Sequence, residues 1–392
     1  MTDETTIIAE NGMNNTDEVM AATSDSDTVD GVLVDAYFTS GDISYAPAPH
    51  FDDTPDKIKR TRSVFSLTHL SLFVFIVVSQ GAAMLASILM AIFLPSNKLA
   101  ELASDYTFTI ILSNVCQYLI AFPLFVLITS KLVKKASPVE QKKMSFGGMM
   151  LALVIAESFM YSGALVSNGI AAFLEGIFGE IGDNALDSIV GETPVLLLFL
   201  TVCVLAPIVE ELMFRKLMID RLSVVGEGPA ILFSAVAFGF FHGNIYQIVY
   251  ATAIGFVYGY VYCKTRKIHY TIILHAIANF LGSIVPLILQ PLMDKVDSLG
   301  SVNVEELTLS EQLELSLAGL VVGGYGLVLY ALMAGGIVAL ILLLVKKKIN
   351  LRKERDIVLT NGQIAEAGML NVGFILTYIV VFLLIVVSLI PS

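Results

Sequence analysis

One segment of this chain, residues 318–345, runs for 28 residues without a charged side chain. As an α-helix it would be roughly 42 Å long, which exceeds the ~30 Å hydrocarbon core of a bilayer. Other apolar runs also exceed the ~18 residues typical of a transmembrane helix. Of the 392 residues, 56% are hydrophobic and 15% are charged, against about 45–50% and 25% in soluble domains. The chain is therefore predicted to be an all-α, polytopic transmembrane helical bundle.

Apolar runs separated by charged loops predict about nine spans, with eight as the alternative count. The fifth and sixth spans are short and nearly continuous, and Gly243 and Asn244 are the expected break between them. The predicted spans are residues 69–94, 107–130, 148–173, 194–214, 229–246, 247–263, 270–290, 318–345 and 370–390.

Two glycine pairs lie inside these spans with the spacing that favours close helix packing. Gly255 and Gly259 form one G-x-x-x-G pair, and Gly319 and Gly323 form the other. Because glycine has no side chain, such a pair lets two helix backbones approach each other closely.

The first 56 residues differ in composition from the rest of the chain. They hold thirteen Asp and Glu and no Lys or Arg, so the net charge of −12 belongs to this tail. Few large apolar residues and a high net charge predict disorder. The expected regions are a disordered acidic cytoplasmic tail (1–56), three N-terminal spans (57–190), a central core (191–290) and two C-terminal spans (291–392).

Lys and Arg cluster in alternate loops, and this pattern predicts the orientation of the chain. Basic residues precede the first span and follow the second, fourth, sixth and eighth, whereas residues 174–193 contain five acids and no base. Since short basic loops stay in the cytoplasm, the N-terminus is predicted inside and the C-terminus outside.

Ionisable side chains inside a span are costly to bury and therefore mark candidate sites. In "LAPIVEELMFRKLMIDR", residues 205–221, Glu210 and Glu211 stand side by side in an apolar run. Glu211 and Arg215 are four residues apart and can pair on one helix face, while Glu210 is rotated by about 100°. The spacing predicts one structural and one reactive carboxylate.

Two later segments carry the other candidate side chains. His242 follows Phe238 by four residues, and Asn279 follows His275 by four, so each pair shares a helix face. If the fourth and fifth spans form an antiparallel hairpin, Glu210 and His242 are level within about 3 Å. These groups are then expected to converge in the cytoplasmic half of the bilayer, in a site that opens toward the cytoplasm.

Such a set of side chains suits the hydrolysis of a carbonyl compound. A carboxylate and an imidazole beside one water can deprotonate it, and an imidazole and an amide can donate hydrogen bonds to the oxyanion. Alternatively, Glu210, His242 and His275 could be three ligands of a catalytic zinc with one open position. Both interpretations remain open from the residues alone.

Each candidate also has a purely structural interpretation. Glu211 and Arg215 could form only an interfacial salt bridge, and the histidines and the amide could only join neighbouring helices. Glu157, which has no partner at helical spacing, is interpreted as a structural or lightly exposed acid. The ordered occurrence of three spaced pairs favours a site.

Three motifs in this order resemble those of the CPBP family, the CAAX prenyl protease and bacteriocin-processing (Abi) intramembrane endopeptidases. They are E-E-x-x-x-R, F-x-x-x-H and H-x-x-x-N, carried by Glu210, Glu211, Arg215, Phe238, His242, His275 and Asn279. The general layout is similar over residues 190–290, so residues 191–290 are expected to be the protease core. Elsewhere the chain is similar to the family only as a membrane protein with several spans.

The resemblance implies a peptidase that cuts a peptide bond within or beside the membrane. Glu210 with His242 would activate water, the H-x-x-x-N motif would stabilise the oxyanion, and Glu211 and Arg215 would support Glu210. The family is described both as metal-dependent and as glutamate-based, so the expected cofactor is either zinc or none.

The expected partners are the lipid bilayer and a membrane-associated substrate, either a prenylated CAAX protein or a bacteriocin-like peptide; no nucleic acid is expected. The expected location is a bacterial cell membrane. The acidic tail and the two spans after the core depart from a minimal member of the family. A non-catalytic immunity or scaffold protein on the same fold is the main alternative, and a transporter is the third.

Overall fold

The computed structural model describes residues 35–39, 42–46, 53–182, 193–352 and 354–391. It forms two compact units, Met1–Pro55 and Asp56–Ser392. In the first unit, strand β1 (Asp35–Thr39) pairs antiparallel with strand β2 (Asp42–Ala46). Most of the tail that is predicted to be disordered lies outside the described residues. The hairpin is formed by residues 35–39 and 42–46 of that tail.

The rest of the chain is helical, which confirms the all-α membrane class. Its described residues contain eleven helices of nine residues or more. They are α1 (Thr54–Phe93), α2 (Ser96–Ser104), α3 (Tyr106–Leu132), α4 (Phe146–Phe178), α5 (Val195–Val225), α6 (Glu227–Phe241), α7 (Ile245–Thr265), α8 (Ile268–Gly300), α9 (Leu309–Val345), α10 (Asn361–Met369) and α11 (Val372–Ser388).

The predicted count of about nine spans is not confirmed. Within the described residues, six helices are long and apolar enough to cross a membrane, or seven if α10 and α11, bent by 62°, form one span. A helix does lie at each of the nine predicted positions. The difference between the predicted and the observed number of spans comes mainly from two helices. Helix α6 has only 15 residues, and α7 is less apolar because it contains five tyrosines.

The segments that follow α3, α5, α7 and α9 meet at one end of the helical unit, which we call the basic end. Backbone hydrogen bonds of 2.8–2.9 Å join Ala136 to Asp220, Lys142 to Thr265 and Ile357 to Val224. The loops rich in Lys and Arg thus lie on the same side, as the alternation of charge predicts.

The opposite end of the unit is marked by the C-terminal ends of α4 and α11 and by the start of α7. The Gly182 amide donates to the Leu389 carbonyl at 3.0 Å. The Tyr246 hydroxyl donates to the Gly182 carbonyl, also at 3.0 Å. These contacts place the turn between α6 and α7 far from the basic end.

Helices α6 and α7 pack backbone against backbone. A Cβ atom added at Gly239 would lie 2.7 Å from the Ile248 carbonyl oxygen, and one added at Gly255 would lie 3.0 Å from the Cα of Ala235. Both values are shorter than a normal van der Waals contact, so the helices could not approach this closely with larger residues. The α6 side chains are therefore held in a fixed position against α7.

The two G-x-x-x-G pairs behave differently. A Cβ at Gly259 would contact Ile231 at 3.1 Å, so the prediction of close packing is confirmed for the pair in α7. Gly319 and Gly323 have nothing within 4 Å among the described residues. For that pair in α9 the prediction is wrong, because this face of the helix has no neighbour in the described structure.

Candidate active site

Helix α5 carries both glutamates in a short α-helical stretch, Ala206–Glu211. The turns on either side, Phe199–Leu205 and Leu212–Ile219, are wider and use i→i+5 hydrogen bonds. Pro207 contributes to this irregularity because it has no amide hydrogen to donate to the preceding turn. Wide turns of this kind often occur at functional sites, where they change the direction of side chains.

The first contact of the site is the buried ion pair that the spacing predicts. Arg215 Nε lies 3.2 Å from Glu211 Oε2, and both side chains are fully buried. The guanidinium also lies over the Phe238 ring, 4.3 Å from its centroid. Burying the two charges is costly, so each depends on the other for compensation.

His275 of α8 bridges the two glutamates. Its Nδ1 lies 3.0 Å from Glu211 Oε1, and its Nε2 lies 3.7 Å from Glu210 Oε2. Because a carboxylate accepts hydrogen bonds, the Nδ1 atom carries the hydrogen in this contact. The Tyr258 ring lies beside the imidazole, with centroids 5.5 Å apart and planes inclined by 32°. These contacts fix the orientation of the imidazole ring.

His242 lies at the C-terminal end of α6. Its Nδ1 is 3.0 Å from the Phe238 carbonyl oxygen. A carbonyl can only accept, so Nδ1 donates, and in a neutral imidazole Nε2 is then the free acceptor. Gly243 follows with a φ of 64°, a left-handed conformation that favours glycine. The chain can therefore turn into α7 directly after the histidine.

Glu210 and His242 line one cavity of about 380 Å³. Helices α1 and α11 supply apolar walls, with Phe75 from α1 and Val387 from α11 among the lining residues. Glu210 is 9% exposed, whereas Glu211 is fully buried. The two adjacent carboxylates thus differ as the spacing predicts, since one is accessible from the cavity and the other is enclosed by an ion pair.

The expectation that the site opens toward the basic loops is wrong. The cavity reaches Gly243 and Ser388, which lie next to the residues that meet at the opposite end. The reason is the length of α6. His242 follows the last residue of this 15-residue helix, so it lies roughly 22 Å from the basic end.

Asn279 is engaged elsewhere in this conformation. Its Nδ2 donates to the Val202 carbonyl at 2.8 Å. That carbonyl needs a partner because the Ala206 amide bonds to Thr201 instead and Pro207 has no amide hydrogen. The amide therefore joins α8 to α5, and its role as an oxyanion donor stays a prediction.

Glu157 lies apart from this cavity. It is fully buried in α4, and neither carboxylate oxygen has a hydrogen-bond partner among the described residues. Tyr258, which contacts both His275 and Arg215, was not predicted as a site residue. Nothing in the sequence distinguishes it from the other four tyrosines of α7.

A zinc ion would need at least three of the candidate side chains to converge. Among the residues that the structure describes, no group of three or more His, Cys, Asp or Glu side chains has the arrangement of a metal site. Zinc coordination by Glu210, His242 and His275 stays a prediction from the sequence.

Comparison with known proteins supports the interpretation of this segment. The family model described as "Type II CAAX prenyl endopeptidase Rce1-like" matches residues 192–281, which include all three motifs. The match confirms the resemblance to the CPBP family for this part of the chain.

A curated relative, "Putative membrane peptidase YdiL" of Bacillus subtilis (strain 168), is 30% identical over 138 residues. The alignment covers 34% of this chain and 54% of the relative, so the chain matches about half the length of that protein. No solved structure matches the chain significantly.

Proposed function

We propose that this protein is an intramembrane endopeptidase that hydrolyses a peptide bond of a membrane-associated protein or peptide. One observation carries the proposal: Glu210 and His242 come from different helices and line the same membrane cavity. The free acceptor of His242 and the accessible carboxylate of Glu210 form a pair that can deprotonate water. The family match and the membrane peptidase relative support the same reaction class.

In the proposed reaction, a water molecule binds between Glu210 and His242 Nε2. The carboxylate takes a proton from the water, and the oxygen attacks the carbonyl carbon of the substrate. The C–N bond then breaks, and Glu210 passes the proton to the leaving amine nitrogen. Nothing else is consumed, and the products are a new carboxyl terminus and a new amino terminus.

The remaining residues support this pair. His275 donates from Nδ1 to Glu211, and this contact holds its imidazole beside Glu210, where the family resemblance implies that it stabilises the oxyanion. The ion pair of Glu211 and Arg215 holds that imidazole in place. Asn279 contributes by joining α8 to α5, and through a rearrangement it can also supply the oxyanion hydrogen bond that the family resemblance implies.

The substrate class follows from the location of the cavity. Phe75, Phe241 and Leu384 are among the apolar side chains that line it, so we propose a substrate with apolar residues around the cleaved bond. Both CAAX processing and the maturation of a bacteriocin-like peptide are compatible with this chemistry. We further propose that the basic end faces the cytoplasm of a bacterial cell, as the positive-inside rule predicts.

The test of the proposed function is a comparison of peptide termini in cells that carry either the wild-type protein or Glu210→Gln. We expect a set of new termini from membrane or secreted peptides with the wild type that is absent with Glu210→Gln. Glu157→Gln is the matched control, because it removes a buried acid that lies apart from the cavity. Identical termini and an intact phenotype with Glu210→Gln would instead indicate a non-catalytic immunity or scaffold protein.

A further inference from the structure

Two glutamines line the same cavity as Glu210 and His242, the proposed reactive pair. Gln80 belongs to α1 and Gln117 to α3. Neither amide has a hydrogen-bond partner within the described residues. Gln80 is exposed and Gln117 is half-buried, so both amides are accessible to a ligand that enters the cavity.

The other uncharged polar residues of the cavity do not share this property. The Ser79 hydroxyl donates to the Ile76 carbonyl at 2.9 Å, and the Ser388 hydroxyl donates to the Ile385 carbonyl at 2.8 Å. Both serine hydroxyls are therefore hydrogen-bonded within their own helices. Apart from the reactive pair, the glutamines are the groups that remain available for a ligand.

The chemistry of a glutamine amide matches that of a peptide group. Each has an N–H donor and a carbonyl acceptor. A peptide bond that is to be attacked must leave its helix or sheet, and its neighbouring N–H and C=O groups then lose their partners. Unpaired backbone groups are costly inside a membrane protein, so a cavity that binds such a peptide has to supply replacement partners.

We propose that Gln80 and Gln117 form a subsite that binds the main chain of an extended peptide and presents its scissile carbonyl to Glu210 and His242. The inference rests on the proposed function and deepens it. Apolar walls around the subsite, such as Leu384 of α11, receive the side chains of the peptide. The expected ligand is an extended segment with apolar side chains, recognised mainly through its backbone.

The subsite lies outside the part of the chain that matches the family model. That match covers residues 192–281, whereas α1, α3 and α11 are all outside it. The proposed reactive residues thus come from the matched segment, and the proposed main-chain subsite comes from the rest of the chain.

The test measures peptide binding without cleavage, in the full chain carrying Glu210→Gln and reconstituted in lipid nanodiscs. The probe is a decapeptide of Leu and Ala with one benzophenone side chain for photo-crosslinking. Its twin has the same side chains, but the amides beside the central bond are N-methylated and cannot donate. The half-saturating concentration of each peptide is read from the crosslinking yield.

We expect Gln80→Met and Gln117→Met each to raise the half-saturating concentration of the ordinary peptide about three- to tenfold, the range of one lost hydrogen bond. The N-methylated twin should bind more weakly to the Glu210→Gln parent and should respond little to either variant. Gln290→Met is the matched control, because this glutamine of α8 bonds to Asp294 outside the cavity. It should leave both peptides unchanged.

Equal binding of the ordinary peptide by the parent and both variants would overturn the subsite. So would equal binding of the two peptides by the parent, a comparison that needs no variant to fold. Because hydrolysis is not measured, these results are independent of the proposed function. If the subsite binds peptide but the protein has no peptidase activity, only the proposed reaction is refuted.

Discussion

At the scale of single residues, the neighbouring glutamates have different environments. Glu211 is enclosed by Arg215 and His275, while Glu210 reaches a cavity. A rotation of about 100° between successive helix positions is sufficient to separate them. Proposed roles follow from these environments: Glu211 holds the site together, and Glu210 reacts.

The ion pair leads to a first prediction. Arg215→Met should destabilise the protein by about 3–5 kcal/mol, because it leaves Glu211 buried without its partner. The double variant Glu211→Gln with Arg215→Met should recover a large part of that loss, since no buried charge remains unpaired. Unfolding by an SDS titration in mixed micelles measures both. A double variant as unstable as the sum of the two single variants would contradict the pairing.

At the scale of helices, the position of His242 depends on the close approach of α6 and α7. Gly239, one turn before the histidine, faces the backbone of α7. The geometry of the reactive pair is therefore set by helix packing as well as by the motif residues. A change at this glycine should affect activity without altering any reactive group.

Gly239→Ala is the second prediction. The added Cβ has no space, so we expect a loss of about 1–3 kcal/mol from overpacking and reduced peptidase activity. Gly319→Ala is the matched control, because it adds the same atom where nothing lies within 4 Å. It should be neutral or stabilise by up to about 1 kcal/mol through helix propensity. Equal effects of the two changes in the SDS titration would argue against the packing.

Helical spacing also determines how much of the site could be predicted. The pairing of Glu211 with Arg215 and the different environment of Glu210 follow from positions i, i+1 and i+4, which are local properties. The contact of Asn279 with Val202 could not be predicted in this way, because it depends on an irregular turn near Pro207. Gln80 and Gln117 were not predicted either, because they lie outside the motifs and approach the site only in the folded structure.

At the scale of the whole molecule, apolar segments correctly predicted the class of fold and the position of each main helix. The predicted number of spans is not confirmed, because neighbouring apolar runs do not show where one helix ends and the next begins. Helix α6 is the example, with 15 residues. His242 follows the last residue of this helix, so it lies roughly 22 Å from the basic end.

Orientation gives the third prediction. Lys142 belongs to the basic end, and Ser301 follows the far end of α8. In a variant whose three native cysteines are replaced by alanine, Ser301→Cys should react with a membrane-impermeant maleimide on intact cells. Lys142→Cys should react only after the cells are opened, because basic loops are retained inside. The reverse labelling pattern would show an inverted protein.

The most direct test of the central claim uses purified protein in nanodiscs and a substrate identified from the comparison of termini. Glu210→Gln and His242→Ala should each lower kcat/KM by about 10²–10⁴-fold, the range for loss of a general base. Glu157→Gln should stay within about threefold of the wild type, because it changes a group apart from the cavity. Cleavage by Glu210→Gln and His242→Ala at the wild-type rate would contradict the account.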